Sequence, residues 1–190
     1  MDLKLHTDIL FDQDNNLTAE NLPAEFDGCE FRKMNWAQWN LSKTVFMDCV
    51  FNECNLSGAK LTKTAFKNVR FINCKMTGMS FDQADPFLFE VYFEDSHLEL
   101  SNFYKCSLKK TVFLRSVLKE VDFTEANLSD AVFDQCDLEK AIFDQTRLEK
   151  TDLRSALDYS IDPKKNHIKK LKCSYPGLLG LLDTVDIVID

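Results

Sequence analysis

Between Val121 and Leu138 the chain reads VDFTEANLSDAVFDQCDL, with a large apolar residue at every fifth position from Phe123 onward. The same spacing continues from Leu88 to Leu153, and an earlier register of large apolar residues runs from Phe26 to Phe81. An internal repeat of this regularity dictates the architecture of a chain. Most of the 16 Phe residues occupy repeat positions, namely Phe26, Phe31, Phe46, Phe51, Phe66, Phe71, Phe81, Phe93, Phe103, Phe113, Phe123, Phe133 and Phe143.

The repeat also has a second inward position, because a mostly small residue precedes each large one by two places, as Ala126 precedes Leu128. Residues two apart point to the same side of an extended strand. The three-residue step from Leu128 to Ala131 would reverse the side on a straight strand, and on an α-helix five residues advance by ~500°, which scatters the stripe. The backbone must therefore bend once in every repeat, and the pattern predicts short strands coiled around a filled interior.

The length of one coil follows from the first register, in which Phe26, Phe46 and Phe66 occupy equivalent places 20 residues apart. Four repeats then make one coil. Because stacked strands lie ~4.8 Å apart, about six and a half coils would form a rod roughly 30 Å long. The sequence predicts an all-β solenoid.

Segments such as Ala126-Asn127-Leu128-Ser129-Asp130 and Cys54-Asn55-Leu56-Ser57-Gly58 resemble the A(D/N)LXX unit of the pentapeptide-repeat family. The resemblance spans about residues 24–155 and implies a right-handed quadrilateral β-helix. The end of the chain, with SYPGLLGLL at residues 174–182 and DIVID at residues 186–190, resembles the C-terminal cap of many bacterial members, including Qnr-type relatives.

Both ends of the chain fall outside the repeat and are predicted to cover the open ends of the solenoid. Residues 1–23 are assigned to an N-terminal cap. Residues 156–190 form a C-terminal cap or dimerisation tail, with a short helix over residues 163–171 after Asp162 as N-cap and another turn or two over residues 176–182. The apolar tail residues either close the last coil or form a two-fold homodimer contact, as the family resemblance favours: Leu178, Leu179, Leu181, Leu182, Val185, Ile187 and Ile189.

The two registers of large residues are out of phase, and the phase break lies at residues 82–87. We expect the inward series to resume at Leu88, with the extra residues looped out near Pro86. Aromatic and acidic residues beside the break are candidates for a protein-binding patch. The alternative is that these aromatics fold over the wall and seal the bulge. The candidate patch comprises Asp85, Phe87, Phe89, Glu90, Tyr92 and Glu94.

Little in the chain points to chemistry. It has no CxxC, HExxH, GxSxG or P-loop motif, and its three His residues are scattered. Six of the seven Cys residues occupy the small inward position, where thiols act as small hydrophobes, although neighbours such as Cys29 and Cys49 could approach each other. We therefore expect no catalytic residue, cofactor or metal site and no enzyme activity. The first residues lack the features of a signal peptide and no apolar run could span a membrane, which predicts a cytoplasmic protein.

The formal net charge of −8 is a sum over alternating bands, with basic residues 26–81 and 104–121 between acidic segments. An acidic chain disfavours direct nucleic-acid binding. The leading hypothesis is a non-catalytic scaffold that binds a protein partner through the outer faces of a rigid β-helix. The resemblance implies an alternative, a Qnr-like DNA mimic that binds DNA gyrase or topoisomerase IV and modulates quinolone sensitivity. The two basic bands count against that alternative.

Overall fold

The computed structural model describes residues 3–12 and 17–183. None of the helices in this part of the chain has the length and hydrophobicity needed to cross a bilayer. Every paired strand in it runs parallel to its neighbours. The strands are β1 (Lys4–Thr7), β2 (Leu10–Phe11), β3 (Ala24–Asp27), β4 (Glu30–Arg32), β5 (Val45–Met47), β6 (Val50–Asn52), β7 (Ala65–Ile72), β8 (Phe89–Glu94), β9 (Val112–Leu114) and β10 (Val132–Asp134). Short 3-10 helices span Ala19–Asn21, Phe81–Gln83 and Pro176–Leu181.

The strands stack in the predicted 20-residue register, so that Phe26 pairs with Phe46 and Phe46 with Phe66. The all-β solenoid and its quadrilateral β-helix class are thereby confirmed, with about six turns. We number the four walls by the large residues that line them: wall one Phe26, Phe46 and Phe66; wall two Phe31, Phe51 and Phe71; wall three Trp36, Leu56 and Met76; wall four Leu41, Leu61 and Phe81.

The interior is a set of stacked side chains rather than a cavity. The rings of Phe113 and Phe133 are 4.7 Å apart at 3°, and those of Phe123 meet Phe103 and Phe143 at 5.5 and 5.4 Å. All 13 repeat Phe residues are buried. Their burial stabilises the fold, since a fully buried Phe contributes about 1.5–3 kcal/mol.

The corners between walls explain why so few glycines suffice. Once per repeat the backbone enters the left-handed region, for example at Lys33 (φ 52°), Gln38 (φ 63°) and Lys43 (φ 65°). Non-glycine residues adopt this conformation at a cost of roughly 1–2 kcal/mol. Most corners nevertheless carry charged or amide side chains that point to solvent. Gly58 (φ 64°) is one of the glycines at such corners.

Part of the predicted N-terminal cap belongs to the solenoid. Strand β1 pairs with β3, and β2 pairs with β4, both at the 20-residue spacing. The His6 ring occupies an inward place and stacks on Phe26 at 5.1 Å. Residues 4–11 therefore add two walls of one further coil in front of Phe26.

The short helix predicted over residues 163–171 is wrong, because this segment continues the coil. His167 pairs with Arg147 of the preceding coil. Asn166 is buried, and its side chain accepts from the Thr146 N–H at 2.9 Å and donates to the Phe143 carbonyl at 3.0 Å. The Asn166 amide, in the small inward position, thus forms hydrogen bonds with backbone groups of the preceding coil. A helix over residues 163–171 could not provide these bonds. The only helix after residue 160 in the described chain is Pro176–Leu181.

Candidate interaction surface at the phase break

The chain crosses the phase break as a short loop that projects from the corner between walls four and one. The 3-10 helix Phe81–Gln83 is followed by Asp85, whose N–H donates to the Thr64 carbonyl at 2.8 Å. The Asp85 side chain then accepts from the Phe87 N–H at 2.9 Å, which tightens the turn. Pro86 suits this place because no neighbouring strand requires its missing N–H.

The inward series resumes at Phe89 and not at Leu88, so the predicted restart is wrong by one residue. Leu88 is 40% exposed, whereas Phe89 is 9% exposed and packs edge-on against Phe66 at 6.2 Å. The physical reason is a missing corner. In the preceding coil, Asn68 at φ 52° bends the chain between Phe66 and Val69, but β8 continues straight and alternates inward at Phe89, Val91 and Phe93.

The three aromatics of the predicted patch therefore have different environments. Phe87 is 93% exposed, and Phe89 lies in the core. Tyr92 is half-buried on wall two, where its hydroxyl donates to Glu94 at 3.1 Å and the Arg70 guanidinium lies 4.8 Å from the ring centroid. Burial, and then the Glu94 carboxylate, raise the pKa of Tyr92. Phe87 thus remains the aromatic free to meet a partner.

The acidic members of the predicted patch are also divided between the loop and wall two. Glu94 accepts from Arg115 at 2.8 Å, so its charge is already engaged. Asp85 is held in the turn, and Glu90 is exposed on β8. The structure therefore brings together Asp85, Phe87 and Glu90 at the bulge and places Tyr92 and Glu94 in a separate ion-pair network.

A small cleft of about 140 Å³ lies under the loop that carries Phe87. Its apolar lining includes Phe81, Ala84, Pro86 and Phe89. Tyr104 and Cys106 of the following coil complete the lining of the cleft. Their place beside the bulge was not predicted from the sequence. Burial raises the pKa of the Cys106 thiol to about 12, which keeps the thiol protonated. The feature of the sequence that could have indicated Tyr104 is its outward-facing position in the first coil after the phase break.

Carboxylates of one coil pair with cations of the next, so much of the acidic charge is neutralised locally. Arg115 binds Asp95 at 2.6 Å, and this hydrogen bond lowers the pKa of Asp95. Lys119 binds Glu139 at 2.7 Å and lowers the pKa of that carboxyl in the same way. Further pairs between coils are Lys33–Glu53, Arg70–Glu94, Lys105–Glu125, Lys150–Asp130 and Lys172–Asp152. The charge bands seen in the sequence therefore form ion pairs along the rod.

Four of the seven C-terminal residues predicted to cap or dimerise fall within the described part of the chain. Leu178 and Leu179 are 41% and 51% exposed, whereas Leu181 is buried and Leu182 half-buried. A groove of about 760 Å³ lies beside them, lined in part by Leu157 and Tyr159. The remaining predicted residues, Val185, Ile187 and Ile189, lie outside the described residues.

No arrangement that suits a metal ion occurs in the described chain, because nowhere in residues 3–12 and 17–183 do three His, Cys, Asp or Glu side chains converge. All seven Cys residues are free thiols.

A filled four-walled β-solenoid with its polar groups on the outside defines a class of structural scaffold. The chain belongs to the pentapeptide-repeat family. Family models match it as "Pentapeptide repeat region" over residues 87–160 and as "Pentapeptide repeats (8 copies)" over residues 24–62 and 49–85. Proteins of this family are generally non-catalytic scaffolds.

Two solved structures agree on the fold, and a third is a weaker likeness. A trypsin-treated variant of QnrB1, described as a plasmid-mediated fluoroquinolone resistance protein, is 18% identical with a TM-score of 0.53 and covers 99% of this chain and 98% of its own. A second such variant is 19% identical with a TM-score of 0.50 over 99% and 98%. HetL from Nostoc sp. strain PCC 7120, described as involved in heterocyst differentiation regulation, is 15% identical with a TM-score of 0.46 over 91% and 85%. No curated protein matched the chain.

Proposed function

We propose that this protein is a non-catalytic scaffold that binds a protein partner through its outer walls, with the bulge around Phe87 as the main contact. The observation that carries the proposal is the 93% exposure of Phe87 in a chain whose other Phe residues are all buried. Phe87 and the adjacent Leu88, which is 40% exposed, form an apolar tip on the loop. Aromatic side chains that become buried on binding dominate the energetics of protein interfaces.

The chemistry of the bulge indicates what the partner offers. Phe87 and Leu88 are apolar, and Asp82, Asp85 and Glu90 surround them without a Lys or Arg between residues 82 and 103. An apolar pocket with a basic rim would complement this surface. Such rim charges mainly guide approach and specificity, whereas the ring supplies affinity.

A photo-crosslinking experiment tests the proposal. A benzophenone amino acid at position 87 should trap a discrete partner in cells of the source species, and the Phe87→Ser variant should lose that partner in pull-downs. Leu100→Ser is the matched control, because Leu100 is 59% exposed at a corner of wall three. Equal partner recovery with Phe87→Ser and Leu100→Ser would reject Phe87 as the contact.

The DNA-mimic alternative draws support from the shape of the rod and from the likeness to QnrB1, which is a likeness of fold. A mimic needs carboxylates that are free to replace phosphates. Here Glu94, Asp95 and Glu139 are engaged by Arg115 and Lys119. A gyrase supercoiling assay with and without quinolone decides the matter, and protection at micromolar protein would favour the mimic over the scaffold.

The tail offers a route to a homodimer, which we also propose. Leu178 and Leu179 present apolar surface beside the groove at the last coil. Burial of this surface against a second copy would remove it from water. The variant Leu178→Ser/Leu179→Ser should then be monomeric in sedimentation velocity at high ionic strength, where contacts between surface charges are screened. An unchanged dimer under these conditions would count against the tail.

A further inference from the structure

Wall four carries its outward charges in an ordered pattern along the rod. Its coils are joined by bridges from Asn40 to Lys60 and from Ser80 through Asn102 and Asp122 to Ile142. The Lys63 N–H donates to the Gln83 carbonyl at 2.8 Å and closes the gap between these two runs. In order of layers, the charged residues of this wall are Lys43; Lys60 and Lys63; Asp82; Lys105; Asp122 and Glu125; and Asp144.

The pattern is antisymmetric about the middle of the wall. By layer the net charges are +1, +2 and −1, then +1, −2 and −1, from the formal charges of those residues. Reading the wall from its other end inverts every sign. A second copy related by a two-fold axis that lies in the plane of contact, perpendicular to the rod and between the layers of Asp82 and Lys105, would therefore face this wall with opposite charges at every layer.

The complementarity extends across the width of the wall. Lys60 and Asp122 share the column of bridged residues, and Lys63 and Glu125 share the corner column, both at positive φ. The in-plane two-fold axis reverses the order of the layers and keeps each column opposite itself. Lys60 of one copy then faces Asp122 of the other, and Lys63 faces Glu125.

Most of these charges are available for contact with another molecule. Within the described chain, Lys43, Lys60 and Lys63 are exposed and have no carboxylate within ion-pair distance. Asp122 and Asp144 likewise have no cation partner there. Lys105 and Glu125 are paired at 3.4 Å but remain exposed. Walls two and three differ, because their acidic residues include Glu94 and Asp95, which bind Arg115, and Asp137 and Glu139, which bind Lys119.

We propose that wall four is a self-complementary contact through which two copies associate side by side and antiparallel. One wall is small compared with stable interfaces of about 1,600 Å², so the association is weak and depends on ionic strength. The contact does not involve Phe87 or the C-terminal tail, and it goes beyond the proposed scaffold function.

Charge exchange between two variants tests the proposal. Every protein in this test, including the one with the wild-type wall four, carries Leu178→Ser/Leu179→Ser so that the proposed tail contact is absent. Sedimentation velocity at low ionic strength (about 20 mM) should show concentration-dependent dimers that dissociate at about 300 mM. Lys60→Glu/Lys63→Glu should be monomeric, and so should Asp122→Lys/Glu125→Lys. An equimolar mixture of these two variants should dimerise again, because every facing pair regains opposite charge. Lys109→Glu/Lys110→Glu on wall one changes the net charge equally and should dimerise like the protein with the wild-type wall four.

Several results would overturn the proposal: a monomeric protein with the wild-type wall four at low ionic strength, a mixture that stays monomeric, or equal loss in the wall-one control. A dimer that survives Lys60→Glu/Lys63→Glu in this tail-substituted protein would also overturn the proposal, because it would locate self-association outside wall four. Circular dichroism verifies folding of each variant. If one double variant unfolds, the single exchanges Lys63→Glu and Glu125→Lys replace it with the same expected outcomes.

Discussion

The rings of Phe81 and Phe103 stack in parallel, 4.5 Å between centroids and 4° between planes, although the phase break lies between them in sequence. Every other stacked pair of repeat rings on wall four, such as Phe103 and Phe123, is 20 residues apart. The loop therefore absorbs the two extra residues at the surface, and the core stays in register. Stacked aromatics at this distance contribute about 0.5–1.5 kcal/mol beyond burial.

Removal of one core ring should be severely destabilising. Phe123→Ala leaves a cavity between Phe103 and Phe143 in a rod that cannot collapse sideways, and we expect a loss of about 3–5 kcal/mol in the free energy of unfolding. Urea denaturation measures it. Phe87→Ala serves as the control and should change stability by less than about 0.5 kcal/mol. Equal effects at the two positions would contradict the ring ladder.

The corrected register at the break can be checked with neighbouring residues. Phe89→Ala should cost about 3 kcal/mol, because the ring packs on Phe66 and Phe81. Leu88→Ala should be nearly neutral, since Leu88 projects from the loop. Thermal unfolding of both variants distinguishes the registers, and the opposite order of effects would restore the Leu88 restart.

Corner geometry predicts an uncommon stabilising substitution. Gln145 is exposed at φ 52°. Gln145→Gly relieves left-handed strain of roughly 1–2 kcal/mol and gives back part of this through a more flexible unfolded chain, for a net gain of about 0.5 kcal/mol. Gln145→Val should lower the melting temperature instead. Calorimetry on the two variants checks the sign, and stabilisation by Val would be inconsistent with a strained corner.

The ion pair between Asp95 and Arg115 should appear in the acid dependence of stability. Its hydrogen bond lowers the pKa of Asp95 below the ordinary value, so the carboxylate binds fewer protons in the folded state. The stabilisation is present above the unfolded pKa and is lost as pH falls through the folded pKa. Carboxyl carbon shifts in NMR should show Arg115→Met returning the Asp95 pKa towards its ordinary value. Lys110→Met should leave it unchanged, and an equal shift there would indicate a general charge effect.

The sequence was sufficient for the coil, the 20-residue turn and the buried Phe ladders, because each repeat encodes the same two inward places. It was insufficient where adjacent residues compete for one place. Leu88 and Phe89 are both large, and only the missing corner in β8 decides between them. Near the C-terminus, Asp162 and Pro163 form a good helix start, but the hydrogen bonds of Asn166 to Thr146 and Phe143 prevail. Such contacts lie 20 or more residues apart and leave no local signal.

The outward-facing positions of each repeat also determine how the distance between surface features of the rod can change. Folding depends on two residues in each repeat, which leaves three whose identity can drift or be redesigned with little effect on the core. Insertion of one whole coil between two surface features would move them apart by about 4.8 Å while each keeps its wall. The distance between two docking surfaces on the rod thus changes in fixed increments of one coil, while each surface stays on its own wall.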